Sequence, residues 1–288
     1  MPIALVTGAN SGIGRALAFA FARRGYDVVA AMRDPAKAAE ALAGAPGRVR
    51  PVALDVTQPA SIAAALADVR AHEGEIDVLV NNAGVSSNAP LEMLAEDHHR
   101  LTFETNYWGP VRLMQAVLPS MRERKAGLII NISSMMRRFA LPGTTPYAAS
   151  KAALEMASEV VALEAAAFGV RVVVIEPGVV VSRLQANTAE AGRWLPPDAT
   201  PYAPVFAKTR AIQKALLAKP LDADEAAEIM LAAALAPDPP FRLLVGADAT
   251  EIVPAREKMR DEEWIALAAA PAEEHKRTIR EKLGLDVA

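Results

Sequence analysis

Seven short apolar runs, spaced by segments of helical character, constrain this chain more than any other feature. They read PIALVT (2–7), DVVAAM (27–32), RVRPVAL (48–54), IDVLVN (76–81), GLIINIS (127–133), VRVVVIE (170–176) and FRLLVG (241–246). Valine, isoleucine and leucine run through them with little polar interruption, the pattern of strands covered on both faces of a parallel sheet. Parallel neighbours need long crossovers, and the segments 12–24, 35–43, 59–72, 97–124, 146–168 and 222–236 predict helices that provide them. Two helix starts carry capping signals, Thr57 ahead of Pro59 and Asp222 with Glu225 three residues on. Strict β–α alternation of this kind predicts an α/β fold, a doubly wound parallel sheet of about seven strands with helices on both faces.

There is material for a large core: 52% of the 288 residues are hydrophobic, only 5% are aromatic, and alanine supplies much of the difference. A formal net charge of −3 offers no footprint for nucleic acid or an anionic membrane. The absence of cysteine excludes disulfides, thiolate metal sites and cysteine nucleophiles. The first strand-like run begins by Ile3, which reads as leaving no room for a signal peptide, and no uncharged apolar run reaches the roughly 18 residues of a membrane span. A cytoplasmic location is therefore expected. The rhythm points to a single domain over 1–288 with one interruption at about 183–220, where LPPDATPYAP alone holds four prolines. That segment is expected to lie over the carboxyl edge of the sheet as a substrate lid that closes on bound ligands. The charged tail, about 250–288, is expected to be helical.

Between the first run and the first helix lies TGANSGIG, with Gly8, Gly12 and Gly14 spaced G-x3-G-x-G. Glycine permits the sharp turn and close backbone approach that a pyrophosphate needs, and the following helix offers free N–H groups at a positive dipole end. An ordinary strand-to-helix turn has no need of three glycines in seven residues, so the loop reads as a dinucleotide site. In such sites an acidic residue ending the second strand takes the ribose 2′-hydroxyl of NAD. Here the strand ends AAMRDP: Met32 holds that place and Arg33 follows. A guanidinium binds a 2′-phosphate through charge-assisted hydrogen bonds, whereas a carboxylate repels it. The reading is NADP(H) preferred with NAD(H) possible, since Arg33 is alternatively a solvated partner of Asp34, and Asp34 alternatively turns inward to serve NAD. Asp55 and Val56, ending the third strand, fall near the adenine; Asp55 is equally a helix-start cap.

In PYAASKAALE, Tyr147 precedes Lys151 by one helical turn, which places a phenol and an ammonium on one face. The stretch alone leaves open whether this is a core tyrosine beside a solvated lysine or an acid–base pair. His72, His98, His99 and His275 read as surface residues, and adjacent His98 and His99 cannot share a helix face, so no metal site is expected. Met135, Met136 and Phe139 line a substrate pocket or belong to the core. Arg137 and Arg138 meet an acidic substrate, or stand in solvent or at an interface. Trp194, Tyr202 and Phe206 are lid aromatics, or pack onto the body or a second subunit.

Five short motifs occur in order: TGANSGIG (7–14), NNAG (81–84), NISS (131–134), YAASK (147–151) and EPG (176–178). In this order and spacing the chain resembles the short-chain dehydrogenases/reductases over about residues 3–182. The resemblance implies a Rossmann-like sheet of seven strands, a nicotinamide cofactor and an Asn–Ser–Tyr–Lys catalytic set. It makes Tyr147 the acid–base, Lys151 its partner, and Asn106, in FETNYWGP, the asparagine that holds a water of the proton relay. Ser133 and Ser134 are adjacent; the family serine stands thirteen residues before the tyrosine, which selects Ser134. The cofactor would meet Gly8, Asn10, Ser11, Gly12, Ile13 and Gly14 of the loop. It would also meet Arg33, Asp55, Val56, Asn82, Ala83, Gly84, Tyr147, Lys151, Pro177, Gly178, Val180 and Ser182. Ser182 keeps the hydroxyl where the family often has threonine, and Ser11 stands where the family often has a second basic residue. Dimers or tetramers through 97–124 and 146–168 are implied as well.

An ordinary tyrosine, with a pKa of roughly 10, is a poor proton donor and acceptor near neutrality. Lys151 on the same helix face would favour the phenolate by its charge. The expected activity is that of a short-chain NAD(P)-dependent alcohol dehydrogenase or ketoreductase acting on a small-molecule carbonyl or secondary alcohol. The alternative is a catalytically inactive dinucleotide-sensing protein on the same fold, against which the intact Asn106, Ser134, Tyr147 and Lys151 count.

Overall fold

The seven apolar runs form seven strands: β1 (Ile3–Thr7), β2 (Asp27–Met32), β3 (Val49–Ala53), β4 (Val78–Asn81), β5 (Gly127–Ile132), β6 (Val170–Pro177) and β7 (Arg242–Val245). The computed structural model describes residues 1–182, 184 and 200–287. The strands make one parallel sheet in the order β3-β2-β1-β4-β5-β6-β7. Alternate residues supply its two faces. Val6, Ala30, Val80 and Ile130 pack on one side with Leu17 and Phe21 of α1 (Gly12–Arg23) and with Met230 and Leu231. Leu5, Val29, Leu79 and Ile129 pack on the other with α3 (Pro59–His72) and α5 (Gly109–Arg124), through Leu66, Val69, Leu113 and Val117. Both faces are covered, so the strands need no polar alternation. Pro51 lies in β3, which pairs only with β2; an edge strand tolerates the missing N–H.

Order and direction together place the site. From β1 the chain winds outward to β2 and β3, then returns to lay β4 on the other side of β1. The crossovers diverge at the carboxyl ends of β1 and β4, which leaves a crevice there.

The short helix α2 (Ala38–Ala41) follows a 3₁₀ turn, Pro35–Lys37. The helix expected over 97–124 is divided. α4 (Glu96–Phe103) and α5 are joined by a π-helical turn, Glu104–Trp108, centred on Asn106. Pro110 has no N–H and so withholds the α-helical donor from the carbonyl of Asn106. α6 (Thr145–Ala165) carries Tyr147 and Lys151. Asp222 caps its helix as expected, accepting from Asp224 N at 2.8 Å and Glu225 N at 3.2 Å. Thr57 does not cap α3; instead Asp55 Oδ1 accepts from Thr57 N at 2.9 Å and from its Oγ1 at 2.8 Å.

Most of the interruption at 183–220 lies outside the described residues, Trp194 included, but its later part forms a helix, Ala203–Leu216. The tail forms three helices, Ala247–Glu257, Asp261–Ala269 and Ala272–Leu283. A third apolar cluster joins them to the region beyond β5: Phe139 and Leu141 meet Ile212 and Leu216, Ile252 and Leu267, and Ile279. Lys208 Nζ donates to the carbonyls of Ala268 (2.7 Å) and Ala270 (2.5 Å), a cation at the negative end of a tail helix. His275 is a correction to the surface reading. It shares one face of its helix with Ile279 and Leu283, is buried, and has Nδ1 3.0 Å from Leu267 O; burial pushes its pKa down.

Candidate active site

A cleft of about 660 Å³ lies on the carboxyl edge of the sheet, across the β1/β4 crevice. Gly8, Asn10, Ser11, Gly12, Ile13, Gly14, Arg33, Asp55 and Val56 border it, as do Asn82, Ala83, Gly84, Ser134, Tyr147, Lys151, Pro177, Gly178, Val180 and Ser182. The β1 and β4 motifs are stitched together. Thr7 Oγ1 accepts from Asn82 N (2.9 Å) and Ala83 N (3.0 Å), and Asn82 Nδ2 donates to Thr7 O (2.9 Å). Gly14 sits at that seam: a Cβ there would fall 2.3 Å from Gly8 O and 2.4 Å from Asn82 Nδ2.

At the β2 and β3 end, Arg33 is exposed and makes no hydrogen bond or ion pair with the described residues. Asp34 is otherwise engaged: Oδ1 accepts from Ala36 N at 3.1 Å, and Oδ2 is 3.8 Å from Lys37 Nζ. Lys37, a second cation that no motif singled out, also borders the cleft. Asp55 both lines the cleft and caps the turn into α3, so its two readings coexist.

At the β5 end, adjacent serines part company because successive residues of an extended chain point to opposite sides. Ser134 accepts from Met136 N at 3.2 Å, and its hydroxyl is near enough to Tyr147 to favour the phenolate. Ser133 is buried and donates to Glu155 Oε1 at 2.6 Å. Lys151 Nζ donates to Ile132 O at 2.7 Å and lies 5.8 Å from the centroid of the Tyr147 ring. Burial pulls Lys151 down to about 8 against the opposing charge of Glu155. Burial also raises Tyr147, partly offset by the hydrogen bond with Ser134. That reverses the expected shift of the phenol: desolvation of the buried ring is the larger effect.

Asn106 is not among the residues that border the cleft. It is fully buried behind the wall, where Nδ2 donates to Val85 O (2.9 Å) and Ser150 Oγ (3.1 Å) and Oδ1 accepts from Val85 N (2.9 Å). No side-chain donor is left for a water. The main-chain carbonyl lacks the α-helical donor that a residue other than Pro110 would supply.

Around Tyr147 the wall is largely apolar, with Met135, Met136, Leu141, Val179 and Leu216 among its residues and Thr144 and Gln213 adding polar groups. Lys151 is the one charged side chain at this end among the described residues. Met135 serves both roles open to it, pocket and core, while Phe139 is core, 5.2 Å from the Trp264 ring. Phe206 is buried and Tyr202 half-buried, so the described aromatics of the interruption pack onto the body. Arg137 and Arg138 are not free for an acidic substrate: Arg137 pairs with Glu155 at 2.8 Å, and Arg138 with Glu176 at 3.0 Å and with Glu257. They border a separate recess of about 530 Å³ beside the tail helices. No group of three or more metal-ligating side chains occurs among the described residues, and no helix among them is long and apolar enough to cross a membrane. Asp248 was missed entirely: it lies 69 residues from the Val179 amide that it holds, and only the β6–β7 pairing brings the two together.

A family model described as short chain dehydrogenase matches residues 2–192. The oxidoreductase BOA17 of Botryotinia fuckeliana is 34% identical over 273 residues, which cover 93% of this chain and 98% of that protein. Among solved structures, a short-chain dehydrogenase from Streptomyces avermitilis superposes with a TM-score of 0.76 at 34% identity, over 96% of this chain and 97% of that one. An alcohol dehydrogenase from Thermococcus sibiricus, solved with 5-hydroxy-NADP, gives 0.68 at 26% identity, over 85% of this chain and 95% of that one. Sequence order, strand order and likeness along nearly the whole chain converge: this is an oxidoreductase of the short-chain dehydrogenase/reductase family.

Proposed function

We propose that the chain is an NADP(H)-preferring oxidoreductase that moves a hydride between nicotinamide and an uncharged carbonyl compound or its secondary alcohol. The observation that carries this reading is the convergence at one cleft wall of the Ser134 and Tyr147 side chains with the buried Lys151 Nζ. Gly14 lets the helix start close on Gly8 and the β4 end, and the loop borders the cleft, which suits a pyrophosphate at the helix N-terminus. Bound nicotinamide supplies or takes the hydride. Tyr147 gives its proton to the carbonyl oxygen in reduction and takes it back in oxidation. Ser134 holds that oxygen by a hydrogen bond as charge develops on it. Lys151 stabilises the phenolate that remains and holds the nicotinamide ribose. The carbonyl of Asn106 holds the water through which Tyr147 is reprotonated. The apolar wall, without a charged group besides Lys151 among the described residues, suits a neutral substrate. A sensor without catalysis would have no use for these side chains.

Oxidation of NADPH and of NADH with a panel of neutral ketones and aldehydes tests the reading. Turnover with NADPH and a higher kcat/KM for it than for NADH are expected; no turnover with any carbonyl would leave the sensor. Arg33 carries the cofactor preference, since it has no partner among the described residues at the end of β2 and Asp34 is committed to its own turn. Arg33→Ala should raise KM for NADPH about ten- to a hundredfold, the worth of a charge-assisted hydrogen bond, and leave NADH nearly unchanged. A wild type that prefers NADH overturns the assignment.

Met156, Val160 and Leu163 follow one another on one face of α6 at 62, 47 and 76% exposure. Such a stripe suits subunit contact in a homodimer or homotetramer. Sedimentation equilibrium should give a multiple of the chain mass, and a monomer at micromolar concentration would remove this reading.

A further inference from the structure

We propose that Asp248 is a positioning residue for the nicotinamide side of the cleft, an inference that rests on the oxidoreductase reading above. The chain leaves β6 at Pro177 and passes through Gly178 and Val179 into the cleft wall. The last sheet bond runs from Gly178 N to Val245 O at 2.8 Å. The next amide, Val179 N, donates instead to Asp248 Oδ2 at 2.6 Å, while Oδ1 accepts from Ala249 N at 2.9 Å. One carboxylate thus holds two main-chain amides, one in the wall and one in the first turn of helix Ala247–Glu257. On its other side the same wall segment is held by Leu221, whose N donates to Val179 O (2.9 Å) and whose O accepts from Val181 N (3.0 Å).

The contact also accounts for a glycine. The sequence reading ties Gly178 to the cofactor, yet a Cβ on Gly178 would lie 1.9 Å from Asp248 Oδ1. The carboxylate occupies the space a side chain would take, and Gly246, at φ +103°, turns the chain to deliver it there. Because helix Ala247–Glu257 continues into the third apolar cluster, Asp248 joins the cleft wall to the tail.

The test measures single-turnover hydride transfer, NADPH Kd and thermal unfolding for Asp248→Ala and Asp248→Asn. The control is Asp77→Ala, at the amino end of β4, which removes a carboxylate that accepts from Ile3 N at 2.8 Å and pairs with Arg124. Asp248→Ala should slow hydride transfer about ten- to a hundredfold, the cost of misplacing a reacting group by about an ångström, with NADPH Kd nearly unchanged. Asp248→Asn should fall between, because its amide keeps one acceptor oxygen for two N–H groups; it carries the test if the alanine variant does not fold. Asp77→Ala should lower the melting temperature and leave hydride transfer alone. Unchanged hydride transfer in Asp248→Ala, or a loss explained wholly by weaker NADPH binding, overturns the proposal. Gly178→Ala should lower the melting temperature, and adding Asp248→Ala should restore part of it. A double variant no more stable than Gly178→Ala would show that the carboxylate does not fill that space. This last cycle is read by unfolding alone, so it stands even if the wild type transfers no hydride, which would instead defeat the oxidoreductase reading.

Discussion

Tyr147→Phe is expected to lower hydride transfer by about 10²- to 10⁴-fold, the usual contribution of a positioned acid–base. NADPH binding and folding should stay close to wild type. The substitution removes one oxygen, beside Ser134, at the end of the cleft remote from the glycine loop. The buried ring keeps its packing, so folding loses little. Stopped-flow hydride transfer beside NADPH titration checks this; a variant with rates near wild type would remove Tyr147 from its role. The neighbouring serines should separate the same two quantities. Ser134→Ala should act on turnover, because its hydroxyl meets Tyr147. Ser133→Ala should act on stability, because its hydroxyl donates to Glu155 in the interior, where Arg137 and Arg242 also pair with that carboxylate.

Gly14→Ala is expected to weaken NADPH binding by tenfold or more and to lower the melting temperature as well. The new methyl would meet Gly8 O at 2.3 Å and Asn82 Nδ2 at 2.4 Å, so the loop or the β4 end has to move. Overpacking of this kind costs about 1–3 kcal/mol, and about 1.4 kcal/mol of that expressed at the phosphate loop is already tenfold in affinity. Gly25→Ala is the contrast. Gly25 has φ +80° with nothing within 4 Å of the added carbon, so it should lose some stability to backbone strain and none of its nucleotide affinity. Calorimetric titration with NADPH reads the difference; Gly14→Ala binding as well as wild type would show that the loop does not seat the phosphates.

What the chain declares locally, it declares well. Each strand lies within two residues of its apolar run, because a strand buried on both faces must be apolar throughout, and that burial is written into consecutive residues. The glycine loop and the Tyr147–Lys151 pair were legible for the same reason: a turn and a helical face are set by sterics over a few residues. Asp222 as a cap belongs with them, since both of its partners lie within three residues.

Other features depend on which distant segments meet. The break in the helix 97–124 was not foreseen, and the use of the Asn106 side chain on Val85 and Ser150 was settled by the packing of the π-helical turn against the β4 loop and α6. His275 looked like a surface residue in a charged tail until the third cluster drew one face of its helix inward. The direction of the Tyr147 shift came from burial, a property of the whole assembly and not of the lysine one turn away. Asp248 shows the division most plainly. Its bond to Ala249 N is local, as suits a carboxylate in the first turn of a helix, but its bond to Val179 N exists only because β7 lies beside β6, so that a residue just past one strand reaches the amide just past the other. Short-range sterics and continuous burial are read along the chain; hydrogen bonds between segments, desolvation and the space a side chain must leave empty are decided only when the sheet brings those segments together.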